Sequence, residues 1–411
     1  MKKKLIAFVI LIAAIFIYFT LYYRDKELKF VPRNADVLIL MDTKKATRQY
    51  ISSFLSHPSE WINDKNKDRN TVSLLESGLK IPDFLQIFHL QNTGFSDWYS
   101  ILELKNKQKF LAYLQQEKFV DKGNGLFHKG HVFIKIEGAN CILGTSDSAF
   151  ENINRLFLAF SQRTNFTSDT FIDGSLGSIS VISNGKIRNF SIDVNADDIE
   201  IKTPAGTSDF TSIISKVQQK TPFFTAELDR GNIKNFASFF DKNFSGSAGI
   251  DYLKAAAELE QVNDTIITYG YDDDFNEIEK KTIRKITQPN YSISLQSSDP
   301  EKTEQYFENK KWINVQHQFT AIPFQPNVIE RQKSGFEIKS TKKTVRSSNQ
   351  LNENYIFIRN NELLFSNLKL LTSKEKKAIS DIDYIFYGNK GRNYYVKLKV
   401  KENNLPLILR W

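Results

Sequence analysis

His128 and His131, separated by Lys129-Gly130, are the residues of this 411-residue chain that come nearest to a pair of metal ligands. Glu137 would be a third donor if a hairpin brought it round. A metal site of that kind needs several converging donors, and no Cys pair, HExxH or distinctive carboxylate accompanies these two. A solvated turn is the expected reading. Asp272-Asp273-Asp274-Phe275-Asn276-Glu277 offers oxygen ligands for a divalent cation. It lacks the loop glycine of a calcium site, and the twelfth position from Asp272 is Ile283, not Glu. Strand-like Thr265 to Tyr271 and Glu279 to Ile286 flank it, so a polar hairpin tip is expected. The nearest approach to a nucleophile elbow, Ser245-Gly246-Ser247-Ala248-Gly249, lacks the strand-to-helix context. Ser340-Thr341-Lys342-Lys343 matches S-x-x-K by spacing alone, and neither a P-loop nor a dinucleotide fingerprint is present. The single cysteine, Cys141, lies in Asn140-Cys141-Ile142-Leu143 and reads as a small buried hydrophobe. The sequence therefore assigns no catalytic residue, no metal ligand and no cofactor.

At the N-terminus, Lys2-Lys3-Lys4 precedes an uncharged run from Leu5 to Tyr23. As a helix this run would extend about 28 Å, close to a bilayer's hydrocarbon thickness. Its bulky end, Tyr18 to Tyr23, offers no small-residue cleavage site, which favours a retained signal-anchor over a cleaved signal peptide. With the positive excess before the run, residues 5–23 are expected to cross the cytoplasmic membrane once. The body would then lie on the periplasmic or extracellular side. On this reading residues 1–30 hold a cytoplasmic tip, the transmembrane helix and a short tether. The formal net charge is +9, and Lys2, Lys3, Lys4 and Arg24 supply four of those charges. What remains is an ordinary solubility charge, so no nucleic-acid partner is expected. Without disulfides the body must rely on its cores, for which 33 Phe and 16 Tyr supply the material.

The elements that would position any site recur in two runs. Val37 to Asp42 reads as a strand ending in an acid and followed by a helix, and Phe223 to Asp229 does the same. Tyr99-Ser100-Ile101 recurs as Tyr291-Ser292-Ile293, each at the head of a strand that leads to a helix, Lys107 to Glu117 and Pro300 to Asn309. Asp299-Pro300 is a favourable helix start. Val132 to Ile136 with Cys141 to Leu143 suggests a hairpin, matched by Tyr355 to Arg359 with Leu363 to Phe365. A helix follows each, and each run closes with a further hairpin, Ile179 to Val194 and Tyr384 to Val400. The expected fold is α+β: two tandem similar copies, residues 31–203 and 222–411, each an antiparallel or mixed sheet with helices on one face. Residues 204–221, with Pro204, Gly206 and a short polar helix, form the expected linker. Ser59 to Gly94 reads as a polar, partly helical insertion, and Lys333 to Gln350 as a flexible basic hairpin or loop.

Val31-Pro32-Arg33-Asn34-Ala35-Asp36-Val37, followed by a strand and a helix, resembles the opening of certain exported bacterial proteins, membrane-anchored or lipoproteins, whose domain has no known function. Leu143 to Ser146 before a helix is similar too. The resemblance is one of pattern over most of residues 31–411. It implies an envelope location and a duplicated α+β body, and carries over no catalytic residue.

The expected function is a non-catalytic binding or scaffolding module of the cell envelope, whose two halves form a groove or paired surface for a protein, glycan or lipid partner. The alternatives are an envelope hydrolase with a site assembled from distant residues, and a carrier of a lipid or other apolar ligand.

Overall fold

The computed structural model describes residue 12 and residues 15–58, 76–158, 166–203, 208–240, 249–271, 273–322, 327–340, 345, 351–365 and 373–410. The chain divides into two compact units, Met1–Pro204 with Asn403–Trp411, and Ala205–Glu402.

The first unit contains β1 (Ala35–Asp42), β2 (Phe84–Leu90), β3 (Trp98–Glu103), β4 (Val120–Asp121), β5 (Leu126–Lys129), β6 (Val132–Glu137), β7 (Asn140–Gly144), β8 (Gly177–Ser183), β9 (Lys186–Val194) and β10 (Asp198–Lys202). Its antiparallel order is β4-β5-β6-β7-β3-β2-β1-β8-β9-β10. The central strand, β1, alternates, so Leu38, Leu40 and Asp42 share one buried face. Phe84 and Phe88 of β2 and Tyr99 and Ile101 of β3 complete that core. At the end of β1, the Asp42 carboxylate accepts from Lys45 N at 2.7 Å and so caps α1 (Thr43–Leu55). Helix α2 (Lys107–Gln116), capped by Asn106, turns Phe110 and Leu114 onto Phe127, Ile134, Ile136 and Cys141. The chain's last turn of helix, Leu407–Arg410, also belongs here: Leu407 N donates to Ala196 O at 2.7 Å, and Arg410 pairs with Asp197 at 2.7 Å.

The second unit comprises β11 (Phe224–Asp229), β12 (Ile250–Tyr271), β13 (Glu277–Ser297), β14 (Asn327–Gln332), β15 (Gly335–Ser340), β16 (Asn354–Arg359), β17 (Ile382–Lys390) and β18 (Asn393–Val400). Its order is β14-β15-β13-β12-β11-β16-β17-β18. Leaving β4 and β5 aside, this string coincides position by position with β6-β7-β3-β2-β1-β8-β9-β10. Asp229 repeats the part played by Asp42, accepting from Asn232 N at 2.9 Å at the start of the helix Arg230–Phe240.

Several expectations are corrected. The α+β class gives way to an antiparallel, strand-dominated architecture, with 18 strands among the described residues and 46% strand against 24% helix. The match for the β6–β7 hairpin is β14–β15, not Tyr355 to Phe365, because Tyr355 to Arg359 pairs with β11 and β17 while Glu362–Phe365 is helical. The stretch expected to be a basic loop therefore begins as an ordered strand, with Phe336 and Ile338 buried. Within the supposed polar insertion, Phe84–Leu90 is the strand beside β1. The helix expected in the linker is present as Ser208–Gln218, but it is not polar throughout: it places Phe210, Ile213, Ile214 and Val217 in a core with Tyr355, Phe357, Tyr384, Phe386 and Tyr395.

The transmembrane expectation is corrected too. Among the described residues no helix is long and apolar enough to cross a membrane. Residues 1–11, 13 and 14 of the chain lie outside the described residues, and the described helical stretch at 15–21 amounts to about 10 Å, a third of a hydrocarbon core. Its end is tied to α1, where the Arg48 guanidinium lies 4.9 Å from the Tyr22 ring and Lys44 Nζ donates to Phe19 O at 3.0 Å. A single-pass anchor at residues 5–23, and the periplasmic or extracellular placement drawn from it, are thus not supported. Nor is the segment after it a free tether: Leu28 and Val31 are buried, and Leu28 N donates to Phe166 O at 3.0 Å.

Phe210 stacks on Tyr395 at 5.5 Å and sits against Gly388, where a Cβ would lie 2.4 Å from its ring. Phe210→Ala should therefore cost about 3–4 kcal/mol in denaturant unfolding of the full chain. A residue in a solvated linker would leave the midpoint unchanged.

Candidate functional site

Strands β12 and β13 are far longer than their neighbours. The outer edge of β12 is paired with β11 only as far as Ala257, and that of β13 with β15 only from Ser292. Beyond those points the two strands pair with each other alone, from Glu258↔Asn290 to Tyr271↔Glu277, fourteen register pairs or roughly 45 Å of ribbon. Pro289, which has no N–H to offer, stands close to the point where β15 ends. The base of the ribbon is anchored: Thr287, Gln288 and Asn290 are buried, and Asn290 Nδ2 donates to Glu260 Oε2 at 2.7 Å. From Asn263↔Lys285 outward, every residue described except Gly270 is exposed.

Because the side-chain period is two, the distal ribbon has two faces. One carries Thr265, Ile267, Tyr269 and Tyr271 opposite Ile283, Lys281, Glu279 and Glu277. Here Tyr269, Tyr271 and Ile283 are 68%, 72% and 71% exposed. The other face carries Ile266, Thr268 and Gly270 opposite Thr282, Lys280 and Ile278, with Asp264 opposite Arg284. At the tip Phe275 is 85% exposed with φ +62, a left-handed turn conformation. Charge is segregated along the axis. Asp273, Asp274, Glu277 and Glu279 cluster at the tip, while Lys280, Lys281, Arg284 and Lys285 follow along the shaft. Lys281 pairs with Glu279 at 3.1 Å.

The chain matches no family model, no curated protein and no solved structure.

Of the residues singled out in the sequence, only the acidic hairpin belongs to this feature. Asp272 lies outside the described residues; Asp273 to Glu277 form the exposed turn. His128 is on β5 opposite Phe133, and its Nδ1 is buried without a hydrogen-bond partner, whereas His131 is exposed in the following turn. Glu137 pairs with Lys135 at 3.5 Å. Among the described residues no three His, Cys, Asp or Glu side chains are grouped to hold a metal ion. Cys141 is buried in β7, and burial pushes its thiol up to about 12. Ser340 is buried at the end of β15, where Tyr291 N donates to its hydroxyl at 3.1 Å; Thr341, Lys342 and Lys343 lie outside the described residues, as do residues 245–248.

Three further groups, none singled out in the sequence, resemble chemistry and resolve into structure. His89 Nδ1 meets Asp36 Oδ1 at 2.7 Å, with Thr93 Oγ1 3.3 Å from Nε2, which imitates a nucleophile triad. The imitation fails because Nε2 lies 2.9 Å from Gly94 O, a contact that requires it to donate, and Thr93 donates to Leu90 O at 2.8 Å. Glu227, fully buried on β11, accepts from Leu351 N, Asn352 N and Tyr252 OH at 2.9–3.1 Å. It ties the chain before β16 to the sheet. Lys220 Nζ is buried without a hydrogen-bond partner; desolvation lowers its pKa, against the favourable charge of Glu227. In the first unit, hollows of about 140 and 420 Å³ are lined by charges that are largely spent on ion pairs, Lys80 with Glu103, Arg24 with Asp42 and Lys26 with Asp169.

Two outcomes follow. Burial works against the charged His89 ring, but Asp36 and the Gly94 carbonyl outweigh it, so its pKa lies above the ordinary 6.5. A raised pKa stabilises the fold fully below the unfolded value and loses that effect as pH climbs through the folded one. The unfolding free-energy advantage of wild type over His89→Gln should therefore be larger at about pH 5.5 than at about pH 9. Lys220→Met, which removes an unpaired ammonium and keeps the stem, should raise unfolding stability by about 1 kcal/mol.

Proposed function

We propose that the chain is a non-catalytic binding module whose contact element is the β12–β13 ribbon and whose partner is a protein. The observation that carries this reading is the distal ribbon, exposed on both faces and yet bearing Ile267, Tyr269, Tyr271 and Ile283 on one of them. A soluble surface gains nothing from a row of uncovered aromatic and branched side chains, which instead match the composition of protein interfaces. Outward from Asn263↔Lys285, the outer edges add backbone donors and acceptors that pair with no other strand among the described residues, the groups through which strands recruit other chains. Acidic residues at the tip disfavour a nucleic-acid backbone as partner.

Site-specific photocrosslinking tests the assignment. A benzoylphenylalanine in place of Tyr271 or Ile283 in the full chain should give several-fold more protein adduct in the native cell than the same probe at Lys302, an exposed position on the helix Pro300–Asn309. Equal adduct yields at all three positions would sink the reading.

A further inference from the structure

We infer that the ribbon's partner is a second copy of this chain, docked ribbon against ribbon and head to tail about a two-fold axis. This deepens the preceding reading and rests on the ribbon being the contact element. Charge complementarity along the ribbon selects the arrangement. On the tyrosine-bearing face the distal ribbon is acidic at the tip, with Glu277 and Glu279, and basic toward the base, with Lys281 and Lys285, so two ribbons laid parallel would set acid on acid. Laid antiparallel, each acidic tip lies over the other copy's basic shaft. A two-fold operation makes that match twice, once at each end, which is the self-complementarity an isologous dimer needs.

The register makes the contact specific. On the face carrying the tyrosines, the rungs run Asn263↔Lys285, Thr265↔Ile283, Ile267↔Lys281, Tyr269↔Glu279 and Tyr271↔Glu277. Ile267↔Lys281 is the middle rung, and an axis through it superposes each rung on its counterpart counted from the other end. The rung of Tyr269 in one copy then covers the rung of Ile283 in the other, and Glu277 meets Lys285. Near the axis each Lys281 keeps its own Glu279, 3.1 Å away, so the two lysines do not face each other unscreened. Because the axis runs across the strands, β12 lies over β12 and β13 over β13: Ile267 meets Ile267 and Tyr269 covers Thr265 in an apolar row, rimmed along β13 by opposite charges with Glu277 over Lys285 at each end.

The size of the contact sets its strength. Ten side chains on a ribbon face about 30 Å long bury on the order of 500 Å² per copy, at the lower limit for a specific association. The dimer should be weak, forming at micromolar or higher concentrations, and should weaken further as added salt screens its rim.

Sedimentation velocity of the full chain over a concentration series is the test. Wild type should move from monomer to dimer. Glu277→Lys and Lys285→Glu should each weaken self-association by about tenfold or more, because each places like charges at both ends of the contact. Mixed together they should associate again. The introduced lysine of one variant then faces the introduced glutamate of the other at one end, and the native Lys285 faces the native Glu277 at the other. Ile267→Lys, which strikes the apolar row on the axis, should abolish the dimer and find no rescue in a mixture with either charge variant. Far-ultraviolet circular dichroism and unchanged thermal unfolding establish that each variant is folded. A wild type monomeric at every concentration overturns the inference, and so does a dimer insensitive to all three substitutions. Either result leaves the ribbon's adducts at Tyr271 and Ile283 to be judged separately, and a photocrosslinked product of twice the chain mass distinguishes a second copy from another partner.

Discussion

Backbone hydrogen bonding is the constraint from which the rest of this structure follows. Every buried N–H and C=O must find a partner, and here the partners are other strands. In each unit β1 or β11, like the other interior strands, is paired along both edges, and the order extends outward from it on either side. Both β1 and β11 end in a carboxylate that caps the next helix, Asp42 toward Lys45 and Asp229 toward Asn232. The same few contacts thus fix the strand's end and the helix's beginning. Where the chain has no ladder of its own, buried side chains substitute, as Glu227 does by accepting from the amides of Leu351 and Asn352.

The ribbon is the one long element among the described residues that meets this constraint on its inner edges only. Its inner groups are satisfied by register, and outward from Asn263↔Lys285 its outer edges face solvent. A two-stranded ribbon alone is marginally stable in water, so the anchorage at its base matters. Buried Thr287, Gln288, Asn290 and Tyr291 hold the base, while the distal pairs keep only each other. Opening should therefore begin at the tip and stop near Val262↔Ile286, where exposure ends.

Much of this was legible in the sequence, and the failures have physical causes. The acid-terminated strands β1 and β11, the Tyr-Ser-Ile head of β3 and the Asp299-Pro300 helix start all stand where local chemistry puts them, whereas Tyr291-Ser292-Ile293 lies near the end of β13 and not at its head. The Asn184-Gly185 turn is a further case, with both residues at positive φ as a tight hairpin requires. The length of β12 and β13 was hidden, because a ribbon solvated on both faces has no reason to alternate polar with apolar residues. The linker helix Ser208–Gln218 reads as polar although Phe210, Ile213, Ile214 and Val217 follow a helical spacing, since polar residues fill the rest of its turns. Leu363 to Phe365 failed for another reason. A three-residue apolar run fits strand or helix equally, and only the pairing of Tyr355 to Arg359 with β11 settles which hairpin is real. At the candidate site, the sequence marked the acidic turn but not the surface behind it. Exposure of Tyr269, Tyr271 and Ile283 is a property of what does not pack on them.

A long, uncovered β ribbon is also a hazard, and its composition reads as an answer to that. Unpaired edges and branched residues such as Ile266, Ile267 and Ile283 are the ingredients of indiscriminate strand pairing. Charges bound these runs: Asp264 stands just before the uncharged stretch Thr265 to Tyr271, and Arg284 and Lys285 follow Ile283 directly. Charges placed only to keep strands apart would serve equally well with both signs mixed along the ribbon. Gathering the acids at the tip and the bases on the shaft gives up some of that generality, because it leaves one antiparallel arrangement in which the charges attract. The segregation therefore favours a single geometry of approach over general repulsion, which distinguishes a selective contact from a merely soluble arm.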